Sequence, residues 1–219
     1  MKKLLLATSL VGMVAAANAQ IVKYDNTTTA ATGAFSSTTL SIQYGDALTL
    51  AGGGGRLSAQ SFSLFNSATN NTGSIVAGTF TIRIFDNTTP YVSGAITNPL
   101  LGAYTTSINF GTSPLAPGFY TLINVTGLAA LNINLPTNIL VTQQFTQTIG
   151  TSVRYGAVGG GNPTIGSSAN TFYVSTAGGM VTSGTNPGQI FNKIEVVPEP
   201  ATMAALGLGV AAMIRRRKK

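Results

Sequence analysis

Phe80-Thr81-Ile82-Arg83-Ile84 sets three large apolar side chains on one face of an extended chain and Arg83 on the other. Successive side chains of a strand point to opposite faces, so this period of two predicts a strand with one dry face. The same period recurs in Leu40-Ser41-Ile42-Gln43-Tyr44, Phe62-Ser63-Leu64, Ile108-Asn109-Phe110 and Leu131-Asn132-Ile133-Asn134-Leu135. Ile139-Leu140-Val141 running on to Phe145, Phe172-Tyr173-Val174 and Ile190 to Val196 continue it. Phe119-Tyr120-Thr121-Leu122-Ile123 is apolar on both faces, which predicts a central strand or one covered by a loop.

Between these runs lie Gly52 to Gly55, Asp86-Asn87-Thr88-Thr89-Pro90, Pro114 to Gly118, Gly159 to Pro163 and Asn186-Pro187-Gly188. All are turn or loop chemistry. Short alternating strands with frequent turns predict an all-β chain: a single antiparallel β-sandwich with jelly-roll-like rather than immunoglobulin-like connections. An up-and-down barrel or a β-helix is the alternative, although no repeat of fixed length supports a solenoid.

The two ends read differently. Met1-Lys2-Lys3 is a basic n-region, Leu4 to Ala17 an apolar h-region, and Ala17-Asn18-Ala19 fits the A-x-A cleavage pattern. Residues 1–19 therefore read as a secretory signal peptide with Gln20 as the first mature residue, and a retained anchor is the alternative. At the other end Val197-Pro198-Glu199-Pro200 precedes the uncharged run Ala201 to Ile214 and then Arg215-Arg216-Arg217-Lys218-Lys219. As a helix the apolar run would span roughly 21 Å, short of a bilayer core of about 30 Å, so it is a marginal span. The five terminal cations favour the cytoplasmic side and leave Pro198–Pro200 just outside the membrane. Pro198 and Pro200 resist helix and sheet, so the motif stays readable by a partner. A plain C-terminal tail anchor is the alternative.

This tail resembles the PEP-CTERM sorting signal of bacterial exported proteins. Val197 to Thr202, Leu206-Gly207-Leu208-Gly209 and the closing basic cluster carry the resemblance. It implies processing near Pro198, Glu199 and Pro200 by an exosortase, with Arg215, Arg216 and Arg217 holding the cytoplasmic end. It also implies an inner-membrane intermediate followed by delivery to the cell surface or extracellular matrix. The Sec translocon and signal peptidase are the partners expected at the N-terminus. A second resemblance runs through the centre. Gly45 to Gly52, Arg56, Phe62 to Phe65, Thr79 to Phe85 and Pro163 to Ser168 look like a group of PEP-CTERM ectodomains taken to be β-sandwiches without assigned activity.

The formal charge of +7 would suggest a nucleic-acid partner. Between Gln20 and Val197, however, Lys23, Arg56, Arg83, Arg154 and Lys193 face Asp25, Asp46, Asp86 and Glu195, five cations against four anions. The basic character belongs to the two ends, and no nucleic-acid partner is expected. The chain divides into a signal peptide (1–19), a sandwich ectodomain (20–196) and a sorting signal (197–219). The ectodomain is long enough to bury about 70% of its unfolded surface without disulfides, and the chain has no cysteine.

Catalytic equipment is scarce. With no His and no Cys, a Ser-His-Asp triad and a His or Cys zinc site are impossible. Within the ectodomain Asp25, Asp46, Asp86 and Glu195 are the only carboxylates available for acid–base work, and their spacing pairs no two of them. Asp46 and Asp86 sit at turn-like positions, where hydrogen bonding to the backbone competes with a structural calcium as the explanation. There is no EF-hand loop, and Gly52 to Gly55 leads into Arg56-Leu57-Ser58, not a phosphate-binding loop. Tyr44, Tyr91, Tyr104, Tyr155 and Tyr173 are candidate sugar platforms, with sheet packing as the competing reading. The sequence therefore predicts a non-enzymatic structural or adhesive surface protein without cofactor or metal. An exopolysaccharide-binding module is the alternative, and a glycoside hydrolase is the remaining one.

Overall fold

The computed structural model describes residues 20–37, 42–67, 72–92, 94–176, 179–182 and 189–197. The expected signal peptide and the tail from Pro198 onward lie outside them, as do Leu40, Ser41 and Asn186 to Gly188. Thirteen strands follow in order: β1 Ile21–Asp25, β2 Ala31–Ser37, β3 Gln43–Thr49, β4 Gly55–Asn66, β5 Ile75–Asp86, β6 Leu100–Asn109 and β7 Tyr120–Val125. After a 3-10 turn at Leu128–Leu131 come β8 Asn134–Leu135, β9 Asn138–Gly150, β10 Tyr155–Gly160, β11 Ser167–Thr176, β12 Gly179–Thr182 and β13 Asn192–Val197.

They form two sheets, antiparallel throughout. The first runs β1-β13-β4-β10-β2, with β7 and β8 also on β4; the second runs β12-β11-β3-β9-β5-β6. Gln60 of β4 faces Ile194 on one side and Val125 on the other, and Phe65 faces Gly156 and Tyr120. One edge of β4 is thus shared by β13 and β10, the other by β7 and β8. The chain stays within one sheet only at the β1–β2, β5–β6, β7–β8 and β11–β12 connections. Every other connection crosses between the sheets, which is the interleaving of a sandwich and not of an up-and-down barrel.

The alternation seen in the sequence builds the core. Phe80, Ile82 and Ile84 of β5 point between the sheets and meet Phe62 and Leu64 from β4. A chain of rings crosses the interior: Phe62 to Phe80 at 4.7 Å, Phe80 to Phe145 at 4.9 Å and Phe145 to Tyr155 at 5.0 Å between centroids. Near one side Phe35 of β2 meets Phe172 of β11 at 3.7 Å. Gly78 makes room for this packing, because a Cβ there would lie 2.3 Å from the Phe145 ring. A second, smaller core lies on the outer face of the second sheet. Phe85, Leu140 and Tyr173 point outward, and the segment between β5 and β6 lays Tyr91 and Ile96 over them.

Three expectations change. Leu131 to Leu135 is not a strand: Leu131 closes the 3-10 turn and is exposed, Asn132 takes a positive φ of 52°, and only 134–135 pair with β4. Gly159 and Gly160, read as loop, belong to β10 and pair with β2. Their bare backbones accept the Phe35 and Phe191 rings, which a Cβ would meet at 2.8 and 2.4 Å. The Phe119 to Ile123 run is neither central nor covered. Among the described residues β7 pairs only with β4, and Phe119 and Tyr120 are 64% and 46% exposed.

Candidate functional site

The four carboxylates of the sandwich are held in four separate settings. Asp25 ends β1, and its Oδ1 accepts from the Thr27 amide at 2.8 Å and the Thr27 hydroxyl at 2.7 Å. Asp86 ends β5 and accepts from the Thr88 amide at 2.7 Å. The Thr88 hydroxyl and amide hold its carboxyl below the usual carboxylate range. Glu195 lies 2.6 Å from Lys193 two positions earlier on β13, and that contact raises the lysine's pKa. These are Asx-turn and surface-pair arrangements.

Asp46 differs. Tyr44 and Leu48 point into the core, so the period of β3 carries Asp46 there too, with no exposed surface. Its Oδ1 accepts from Ser168 Oγ at 2.9 Å and its Oδ2 from the Ile190 amide at 3.1 Å. No cation is among these partners. Burial drives its carboxyl well above the usual range, opposed first by the Ser168 hydroxyl and then by the Ile190 and Ala47 amides. The buried Tyr24 hydroxyl is pushed up first by desolvation and then by the charge of Asp46.

A polar seam continues from this point. The Asn26 Nδ2 donates to the Ile190 carbonyl at 3.0 Å, and the Asn192 amide donates to Asn26 Oδ1 at 2.7 Å. Gln60 Nε2 donates to Asn192 Oδ1 at 3.1 Å, and the Tyr104 hydroxyl of the opposite sheet donates to Gln60 Oε1 at 2.8 Å. Buried polar groups need such partners, and a fully bonded network specifies one packing of the two sheets. The residues offered to Asp46 are hydrogen-bond donors, not the oxygen ligands that calcium takes. Among the described residues no three His, Cys, Asp or Glu side chains gather.

The five tyrosines singled out as platforms are buried: Tyr44, Tyr91, Tyr104, Tyr155 and Tyr173 are all under a tenth exposed. Tyr104 bonds Gln60, Tyr44 and Tyr155 bond backbone carbonyls, and Tyr173 bonds the Tyr91 carbonyl. The exposed aromatic pair is Phe119 and Tyr120. Leu122 follows on the outer face of β7, while Ile123 and Val125 pack inward. Tyr120 lies opposite Phe65 and 6.1 Å from the Phe191 ring. The sequence showed the two-sided apolarity; that β7 sits at an edge, with one apolar face uncovered, comes from its pairing alone.

A second surface is polar. On the outer face of the second sheet Thr105, Thr81, Gln144 and Gln43 stand side by side across four strands. Ser107, Thr79 and Thr146 form the next row, and Ala103 and Arg83 a third, beside which Thr142 is fully covered. Arg83 is the one charge in these rows.

The sorting residues Pro198, Glu199, Pro200, Arg215, Arg216 and Arg217 lie outside the described residues, as do Ala17 and Ala19. The junctions beside them are described. Val197 is the last residue of β13, nearly buried and paired with Arg56. Gln20 is exposed and leads directly into β1, whose Ile21 pairs with Val196. Both junctions therefore emerge at one end of the sandwich. Tyr120 faces Phe65 at the other end of β4, nine residues and roughly 30 Å from Arg56.

Comparison with known proteins gives one family match. Residues 196–218 match the PEP-CTERM protein-sorting motif, which marks the chain for export and exosortase processing. No curated protein matches the chain. Among solved structures, TmCBM61 in complex with β-1,4-galactotriose is similar at 8% identity and a TM-score of 0.28, covering 74% of this chain and 90% of that one. A chain from infectious bursal disease virus Gx strain is similar at 15% identity and a TM-score of 0.29, covering 86% of this chain and 43% of that one. Among the described residues no helix is long and apolar enough to cross a membrane.

Proposed function

We propose that this chain is a non-catalytic adhesive protein of the cell surface or extracellular matrix, sorted by exosortase and displayed by its sandwich. The observation that carries the reading is the exposed Phe119-Tyr120-Leu122 face at the end of the sandwich away from the sorting junction. Exposed apolar patches rimmed by polar residues mark interaction sites, and aromatic residues are common interface anchors. The carboxylates support the non-catalytic part, since each described one is engaged in a turn, a surface pair or the buried seam.

The test is the protein as its producer makes it. Phe119→Ser with Tyr120→Ser should leave cleavage of the tail unchanged while retention on the washed cell surface falls about tenfold, a loss of ~1.4 kcal/mol of anchoring. Unchanged retention would reject this face as the adhesive one.

A second reading, exopolysaccharide binding, is favoured by the hydroxyl and amide rows around Thr81, Thr105 and Gln144. They offer many hydrogen-bonding groups with little charge, suited to neutral hydroxylated chains. Thr81→Glu should weaken retardation in a gel containing the producer's polysaccharide about tenfold, with the Phe119 and Tyr120 variants unaffected. The reverse pattern would return binding to the aromatic end.

A further inference from the structure

We propose that the end of the sandwich formed by Ile21, Lys23, Arg56 and Leu131 seats on an anionic phospholipid surface while the tail is anchored. The inference rests on the sorting reading of the C-terminus and adds a second contact with the membrane.

The chain length forces the approach. β13 ends at Val197, and the uncharged run begins at Ala201. Four residues, even fully extended, reach only about 14 Å. The headgroup layer on one side of a bilayer occupies about 5–8 Å of that distance. With the apolar run inserted, the end of β13 is therefore held at or just above the headgroups. Because β13 lies between β1 and β4, it brings both neighbours with it.

The residues at this end suit such a surface. Ile21, opposite Val196, is 43% exposed, and Leu131, beside the Asn132 that bonds Arg56, is 48% exposed. They flank the start of β4 on opposite edges. Lys23 reaches the Gly52 carbonyl at 3.3 Å and Arg56 reaches Asn132 Oδ1 at 3.3 Å, both in exposed settings. Two of the five cations of the sandwich thus sit where the chain must meet lipid. Apolar side chains interleaved with Lys and Arg are the composition of an interfacial binding surface. The aromatic face at Phe119 points away from the membrane in this pose.

The absence of cysteine allows single labels. Chains from Gln20 to Lys219 carrying Leu131→Cys, Ile21→Cys, Ser113→Cys or Leu208→Cys are labelled with one fluorophore and reconstituted into phosphatidylglycerol/phosphatidylethanolamine vesicles. Lipid with a nitroxide on the headgroup then quenches labels at the surface, and lipid with one on the acyl chain quenches labels inside the hydrocarbon. Expected are strong quenching at 208 by the acyl-chain nitroxide and several-fold more quenching by the headgroup nitroxide at 131 and 21 than at 113, on the opposite end. Replacing phosphatidylglycerol with phosphatidylcholine, raising salt, or introducing Lys23→Glu should bring 131 and 21 down towards 113 while 208 stays quenched. Quenching at 208 with equal values at 131, 21 and 113 overturns the seat and leaves the tail anchor standing. No quenching at 208 overturns both.

Discussion

Burial raises the pKa of the Asp46 carboxyl in the fold. Its folded pKa is raised, so the folded chain binds a proton that the unfolded chain, titrating near the ordinary value of about 3.9, releases. The unfolded state then holds fewer protons, and stability falls as pH rises above that value. In urea titrations between pH 4 and 8 the wild type should lose up to about 1.4 kcal/mol per pH unit until the folded pKa is passed. Asp46→Asn, which can still accept from the Ile190 amide, should flatten that slope; parallel slopes would show that Asp46 stays ionised. The sequence placed this residue at a turn, because Gly45 before it read as punctuation. The period of two through Tyr44 and Leu48 was the better guide. The tyrosines misled for a related reason: Tyr173 alternates away from the core, yet Tyr91 covers it from a segment whose path no local pattern records.

Among the elements, β5 and β9 were legible because one face of each meets the core and alternation reports that directly. The edges were not. β2 carries one large apolar residue, Phe35, β8 is two residues long, and β7 is apolar on a face that nothing described covers. An element's position in the sheet depends on partners distant in sequence, so a two-sided apolar strand was taken for a central one. Gly54 tests how tightly β8 is fitted. A Cβ there would lie 1.6 Å from the Leu135 carbonyl oxygen, whereas Gly111 has open space and only its φ of 56° to constrain it. Gly54→Ala should lower stability by about 3 kcal/mol, the upper range for overpacking. Gly111→Ala should lose about 1 kcal/mol through the left-handed backbone alone. Thermal midpoints of the two variants separate steric from conformational strain, and equal shifts would mean that β8 moves aside.

At the scale of the whole molecule, the ring chain from Phe62 to Tyr155 ties the two sheets through contacts far apart in sequence. Phe80 sits in the middle of it. Phe80→Ala should remove about 3–5 kcal/mol, a large share of the roughly 5–15 kcal/mol that stabilises a typical domain. A loss below 1 kcal/mol on denaturant titration would show that the sheets are held by other means. Strand pairs joined mostly by crossing connections close long loops before they gain contacts, so refolding should take milliseconds to seconds and not microseconds.

The placement of β13 also decides how the domain bears tension. β13 is the strand that ends at the junction with the tail, and it is laddered to β1 on one side and to β4 on the other. A pull on the tail from its anchor, resisted at the Phe119 end, slides β13 lengthwise between its neighbours and loads both ladders' hydrogen bonds together. A strand peeled from an edge would give them up one after another. The domain should thus resist a pull along β13 better than one that peels a strand from an edge.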